Sequence, residues 1–163
     1  QSEQDLMFIY NQCCEDPSSP FAAKYSAGKY QKYRSRSMIQ NVHHIALIVS
    51  SEECLSFYRL LGFTETFRKV RKYDTAVLME GYGMQLEIFV DDRHPGRGDV
   101  EPTGLRHFAL KTDLTLEEEM ERLRGVFQEN GREIEFGPIM NDWTGVKFCF
   151  TKDFDGMAIE LRE

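Results

Sequence analysis

Two histidines and two glutamates stand at matching places in repeated surroundings. HHIAL at 43–47 carries His44 and RHFAL at 106–110 carries His107, while LEIF at 86–89 carries Glu87 and IELR at 159–162 carries Glu160. The histidines are 63 residues apart and the glutamates 73, a difference that fits a longer helix and longer loops in the second repeat. An imidazole or a carboxylate set among strand-forming apolar residues is costly without a partner. One divalent cation shared by all four offsets that cost. Two nitrogen and two charged oxygen donors suit Zn²⁺, Ni²⁺, Co²⁺, Mn²⁺ or Fe²⁺ better than Ca²⁺ or Mg²⁺, which prefer oxygen alone. Four donors leave two of six octahedral positions for water or for substrate oxygens, which is the character of a catalytic ion.

The elements that must position these residues read as two successive βαβββ units. VHHIALIV at 42–49 has the apolar density of a buried strand. Ser50 with Glu53 then reads as a capping box for a helix that carries Leu55, Tyr58 and Leu61 and stops at Gly62. Strand-like runs follow at 63–70, 75–79 and 84–90, the last two joined by a turn holding Gly81 and Gly83. After the polar linker DDRHPGRGDVEPTG the order repeats. A strand covers 105–111, and Thr115 with Glu118 caps a helix whose inner face is Leu116, Met120, Leu123 and Phe127 before Gly131. Three further strands are expected at 133–139, 145–151 and 157–161. Alternation along each strand sets His44, Glu87, His107 and Glu160 on the face opposite their apolar neighbours, away from the helices. The same arithmetic turns His43 to the other face, and His94, in the Pro/Gly linker, reads as solvated.

A unit of this size cannot bury its own sheet, so two must curl against each other and leave a cleft. The expected fold is therefore α+β, with two βαβββ modules at 41–91 and 105–163 forming a paired, incomplete barrel around a metal-binding cleft. Residues 1–40 read as an extension to this domain at 41–163. Its first 37 residues interleave Tyr25, Tyr30 and Tyr33 with Lys24, Lys29, Lys32, Arg34 and Arg36 and show no amphipathic period. Such an arm is expected to pack on the core or on a neighbouring subunit without contributing to the site.

Bulk properties narrow the partners. The formal charge of −7 disfavours extended contact with a phosphate backbone, so nucleic acid is not an expected partner. No apolar run approaches the roughly 20 residues that span a bilayer, so no membrane partner is expected. The four cysteines, Cys13, Cys14, Cys54 and Cys149, form no CxxC pair, and no secretory signal opens the chain, which reads as a reducing cytoplasm.

HHIAL with FYRLLGF, then LEIF, GLRHFAL and the ending KDFDGMAIELRE together resemble the vicinal-oxygen-chelate superfamily, the glyoxalase, bleomycin-resistance and extradiol-dioxygenase group. The resemblance covers about residues 41–163. A His, Glu, His, Glu set resembles that of glyoxalase I and implies His44, Glu87, His107 and Glu160 as metal ligands; Glu87 is the discriminating residue, because the thiol transferases and dioxygenases of the group use two His and one Glu. Glutathione-using members carry Arg four residues after the first ligand and Asn four residues after the second. Here those places hold Ile48 and Asp91, so a cationic anchor is missing and a carboxylate is added. Arg68 and Arg106 are alternative anchors for an anionic substrate group.

The reaction expected from this set is a lyase or isomerase proton shift on a small α-hydroxycarbonyl or hemithioacetal, through an enediolate stabilised by one divalent transition metal. By resemblance Glu160 is the leading base, with Glu87 returning the proton from the other side. A homodimer is expected; many relatives build the cleft from two modules of one chain or from modules swapped between two chains, and the linker from Asp91 to Gly104 is long enough for either. The alternatives are a non-catalytic drug- or metabolite-binding protein of the same fold, or a dioxygenase or epimerase of the group.

Overall fold

The structure, a computed structural model, describes residues 41–98, 100 and 102–163. The expected arm at 1–37 lies outside the described residues. In the first module, β1 (Ile45–Val49), α1 (Glu52–Leu61), β2 (Thr64–Val70), β3 (Thr75–Gly81) and β4 (Met84–Val90) follow in order. In the second come β5 (His107–Lys111), α2 (Leu116–Glu129), β6 (Met140–Asn141), β7 (Lys147–Lys152) and β8 (Ala158–Arg162). Each module makes one four-stranded mixed sheet, ordered β1-β4-β3-β2 and β5-β8-β7-β6, with the first and last strands of the module paired in parallel. Among the described residues no helix is long and apolar enough to cross a membrane.

The period-two pattern decides which face each sheet buries. Leu47, Val49, Val77, Met79, Leu86 and Ile88 of the first sheet and Phe108, Cys149, Ile159 and Leu161 of the second are buried with the inner faces of both helices. Leu116, Leu123 and Phe127 of α2 are fully enclosed, and Phe57 of α1 meets Phe127 edge-on at 5.4 Å between ring centroids. The opposite face of each sheet is left open by the described residues.

Three expectations change on contact with the structure. The cap of α1 is Ser51, whose hydroxyl accepts from the Cys54 amide. Ser50, one residue too early to cap a helix that starts at Glu52, is turned to the second module instead, where its amide and hydroxyl both donate to Asp155, at 2.7 and 2.5 Å. Thr115 and Glu118 do form the full capping box of α2. The strand expected at 133–139 reduces to a single bridge between Phe136 and Thr151, with β6 confined to Met140–Asn141. Pro138 has no amide hydrogen to give a ladder, and the segment is held instead by Gly137 N–H to Phe150 O and by the Thr151 hydroxyl to Glu135 O. Finally, the parallel ladder of β1 begins at Ile45 against Leu86, so His44 precedes the first paired residue.

The junction of the modules is polar as well as apolar. Asp153 is buried, accepts from the Tyr58 hydroxyl at 2.7 Å and from the Asp155 and Met157 amides, and burial pushes its carboxyl up from the ordinary value. With Ser50 bound to Asp155, the DFDG turn of one module thus fastens the start of α1 in the other. The outer face of the first module is tied by charge: Glu65 receives Arg59 and Arg68, which hold its carboxyl down at about 2.

Candidate metal centre

The four expected ligands are brought together as two pairs. His44 Nε2 lies 3.3 Å from Glu87 Oε2, and His107 Nε2 lies 3.0 Å from Glu160 Oε2. The pairs have the same backbone origin. Glu87 is the partner of Ala46 across β1 and β4, Glu160 is the partner of Ala109 across β5 and β8, and each histidine sits two residues before that alanine. A histidine and a glutamate are therefore diagonal neighbours on the open face of each sheet.

One chain by itself does not gather all four into a single group among the described residues. Among the described residues, no group of three or more His, Cys, Asp or Glu side chains is placed to hold a cation. Nor are the four uniformly buried: His44 is exposed, Glu87 and His107 are half-buried, and only Glu160, at 9% exposure, is enclosed. The physical reason is that each sheet turns its open face away from the shared core, so no described element of the chain packs against the face that carries the ligands. Ala46, Ile48 and Phe67 are exposed on that face of the first module and Met140 on that of the second.

Each pair nonetheless has the spacing of two ligands of one ion. Donor atoms about 2.1 Å from a cation and at right angles to one another are about 3.0 Å apart. The donor set fits a borderline divalent cation, with Nε2 and a carboxylate oxygen from each module. One nitrogen, His107 Nδ1, is buried without a hydrogen-bond partner, beside the edge of the Phe150 ring. Such an atom is unsatisfied by the chain alone.

Other expected residues fall out differently. His43 does not turn away from His44; the two rings meet edge-on and their Nδ1 atoms are 2.9 Å apart. His94 is half-exposed but pairs with Asp91 at 3.3 Å. Asp91 is buried, and Arg93, bound to both of its oxygens, holds its carboxyl well below the usual range, so the charge that replaces the family's Asn is neutralised within the chain. Arg68 lies on the helix face, bound to Glu52 and Glu65, which removes it as an anchor for substrate. Arg106 immediately precedes β5.

One neighbour of the site was missed. Arg162 reaches Glu160 Oε1 at 3.4 Å and is itself anchored on Asp142 at 2.7 Å, whose other oxygen accepts from Thr144 and Val146 in the β6–β7 turn. The signal was present in the alternation, since residue 162 shares a face with residue 160.

Two mixed sheets with this parallel first-to-last pairing, and a His/Glu pair at the same register in each, define a tandem βαβββ protein of the glyoxalase type. A glyoxalase family protein from Enterococcus faecalis is 31% identical to the chain and superposes with a TM-score of 0.64, covering 78% of this chain and 100% of that one. The chain belongs to the glyoxalase family, within the vicinal-oxygen-chelate superfamily. A lactoylglutathione lyase from Agrobacterium tumefaciens shares the fold at 18% identity and a TM-score of 0.53, covering 78% of this chain and 96% of that one. So does a mutant of the fosfomycin resistance protein FosX from Listeria monocytogenes, solved in complex with Mn(II) and 1S,2S-dihydroxypropylphosphonic acid, at 18% identity and 0.54, covering 77% and 93%. No family model and no curated protein matches the sequence.

Proposed function

We propose that the chain is a metal-dependent lyase or isomerase that shifts a proton on a small α-hydroxycarbonyl or hemithioacetal, and that its site is completed by a second copy. The observation that supports this best is the pair of His/Glu half-sites at identical register, each with the spacing of two ligands and each on an open sheet face. His44 and Glu87 of one copy facing His107 and Glu160 of another make the four-donor set that neither face makes alone. The apolar residues exposed on those faces, Ile48 and Phe67 among them, are then covered, and the surroundings of His107 are completed from outside the chain.

In that arrangement the four residues hold one divalent cation, which supplies an electrophile for two substrate oxygens. FosX with Mn(II) is a precedent for a divalent ion on this fold. The histidines serve as neutral donors. Glu160 takes the proton from the carbon beside the carbonyl: it is enclosed on the open face of its sheet, and its two oxygens are oriented by separate partners, His107 and Arg162. Glu87, in the opposite half-site, takes the proton of the substrate hydroxyl and delivers it to the neighbouring carbon, and Glu160 releases its own to the former carbonyl oxygen, so both carboxylates end as they began. The free buried thiols Cys54 and Cys149 accord with a reducing cytoplasm.

Elemental analysis combined with sedimentation of the purified protein tests this reading. The expected result is a dimer with about one transition-metal ion per chain. A monomer without metal would leave a small-molecule binding protein as the better description.

A further inference from the structure

We propose that the β2–β3 hairpin carries the anion subsite of this enzyme, with Arg71 and Lys69 receiving a negatively charged substrate tail beside the metal. This rests on the function proposed above. The register of the first sheet puts Phe67, Leu78, Glu87 and Ala46 in one row across its open face, and Lys69, Ala76, Phe89 and Ile48 in the next. Position 48 belongs to that second row, so the cation missing there is offset by one on the opposite strand of the same row.

Arg71 follows β2 by one residue and continues the side of Lys69. Its guanidinium carbon lies 4.8 Å from the centre of the Phe89 ring, and Phe89 stands two residues from Glu87 on the same face, about 6.6 Å along the strand. Glu87 is within electrostatic reach of it. The side chain is fixed in place: Nε and Nη2 bind the two oxygens of Asp74 at 2.5 and 2.6 Å, and the backbone of the same two residues closes the turn. That fork uses one edge of the guanidinium and leaves Nη1 with its two hydrogens for a ligand.

Charge supports the same placement. Asp74 balances Arg71, so the attraction for an anion comes from Lys69, which makes no ion pair or hydrogen bond among the described residues, while Arg71 supplies directed donors. Asp91, buried at this end of the sheet beside the exposed Asp92, is occupied by Arg93. In a chain of net charge −7, the stretch RKVRKYD concentrates four cations against one aspartate. The substrate class is thus a vicinal-dioxygen compound with a carboxylate or phosphate about 7 Å from the chelating oxygens, a distance set by two residues of strand.

The test uses two chelating probes on the Zn²⁺-loaded protein, acetohydroxamate and succinohydroxamate, which bind metals through the same two oxygens and differ by a terminal carboxymethyl group. Affinities are measured by titration calorimetry for wild type, Lys69→Met and the double variant Arg71→Met/Asp74→Asn, with thermal unfolding to confirm the fold. The double variant removes both members of the ion pair and leaves no stray carboxylate. The expected result is tighter binding of the carboxylate probe to wild type by about tenfold or more, an advantage that falls with salt and disappears in both variants, while acetohydroxamate binds all three proteins alike. Equal affinity of the two probes for wild type, or an advantage retained in the variants, overturns the subsite and leaves the metal reading standing. Failure of both probes to bind any of the proteins overturns the metal reading and the subsite with it.

Discussion

Glu160→Gln is expected to slow proton transfer by about two to four orders of magnitude while cation binding survives in weakened form. The glutamine keeps the length of the side chain and one oxygen that can face the cation beside His107, but it has neither the charge nor the basicity to take a proton from carbon. Glu160 sits at 9% exposure with His107 on one oxygen and Arg162 on the other; with the amide oxygen turned to the cation, its NH2 meets the Arg162 guanidinium donor to donor, so only that 3.4 Å contact is given up while Arg162 keeps its anchor on Asp142. Glu87→Gln is expected to cost less if the substrate is handled from one side, and equally if both carboxylates carry protons. The assay is isomerisation of hemithioacetals and thiol-free α-hydroxycarbonyls, with metal content measured on the same samples. Full activity in Glu160→Gln at normal metal content would remove the base and the isomerase mechanism.

The second large effect concerns the histidines. His44→Ala and His107→Ala each remove one of four donors, and each is expected to lower cation affinity by more than the roughly 10- to 100-fold lost when only a ligand's supporting partner is removed. The symmetry of the half-sites makes the prediction sharper. His44 precedes Ala46 as His107 precedes Ala109, and each alanine faces a glutamate, so the two losses should be similar even though His44 is the more exposed residue. His43→Ala, beside His44 but outside the donor set, should cost much less. Calorimetric titration of metal-stripped protein with Zn²⁺ or Ni²⁺ reads all three. A loss confined to one histidine would mean that only its half-site binds metal.

Much of this was legible in the letters because the repeated motifs are short-range. HHIAL and RHFAL, LEIF and IELR report strand faces directly, and Thr115 with Glu118 reports the start of α2, since alternation and capping depend on residues a few places apart. What the letters did not show depends on contacts across the fold. Ser50 looked like a cap, but it lies one residue before the cap and donates instead to Asp155, 105 residues away. The 133–139 stretch had the composition of a strand, but Gly137 and Pro138 left it with one bridge. The gathering of four ligands into a cleft was inferred from symmetry, and symmetry holds equally for two half-sites that face outward. Arg71 and Asp91 likewise showed their charges in the sequence, whereas their partners, Asp74 and Arg93, became visible only once the turns were formed.

The central claim, a site shared between two copies, is tested most directly by mixing two disabled proteins. His44→Ala/Glu87→Ala lacks the first half-site and His107→Ala/Glu160→Ala lacks the second, so neither binds a cation with the full donor set. Unfolded together and refolded at equal concentration, they should form mixed dimers in about half of the pairings, each with one intact site and one doubly disabled site. The account predicts recovery of about a quarter of the wild-type cation content, and of activity in the same proportion, from two inactive proteins. Mixed dimers that hold no cation, with both parents folded, would contradict it.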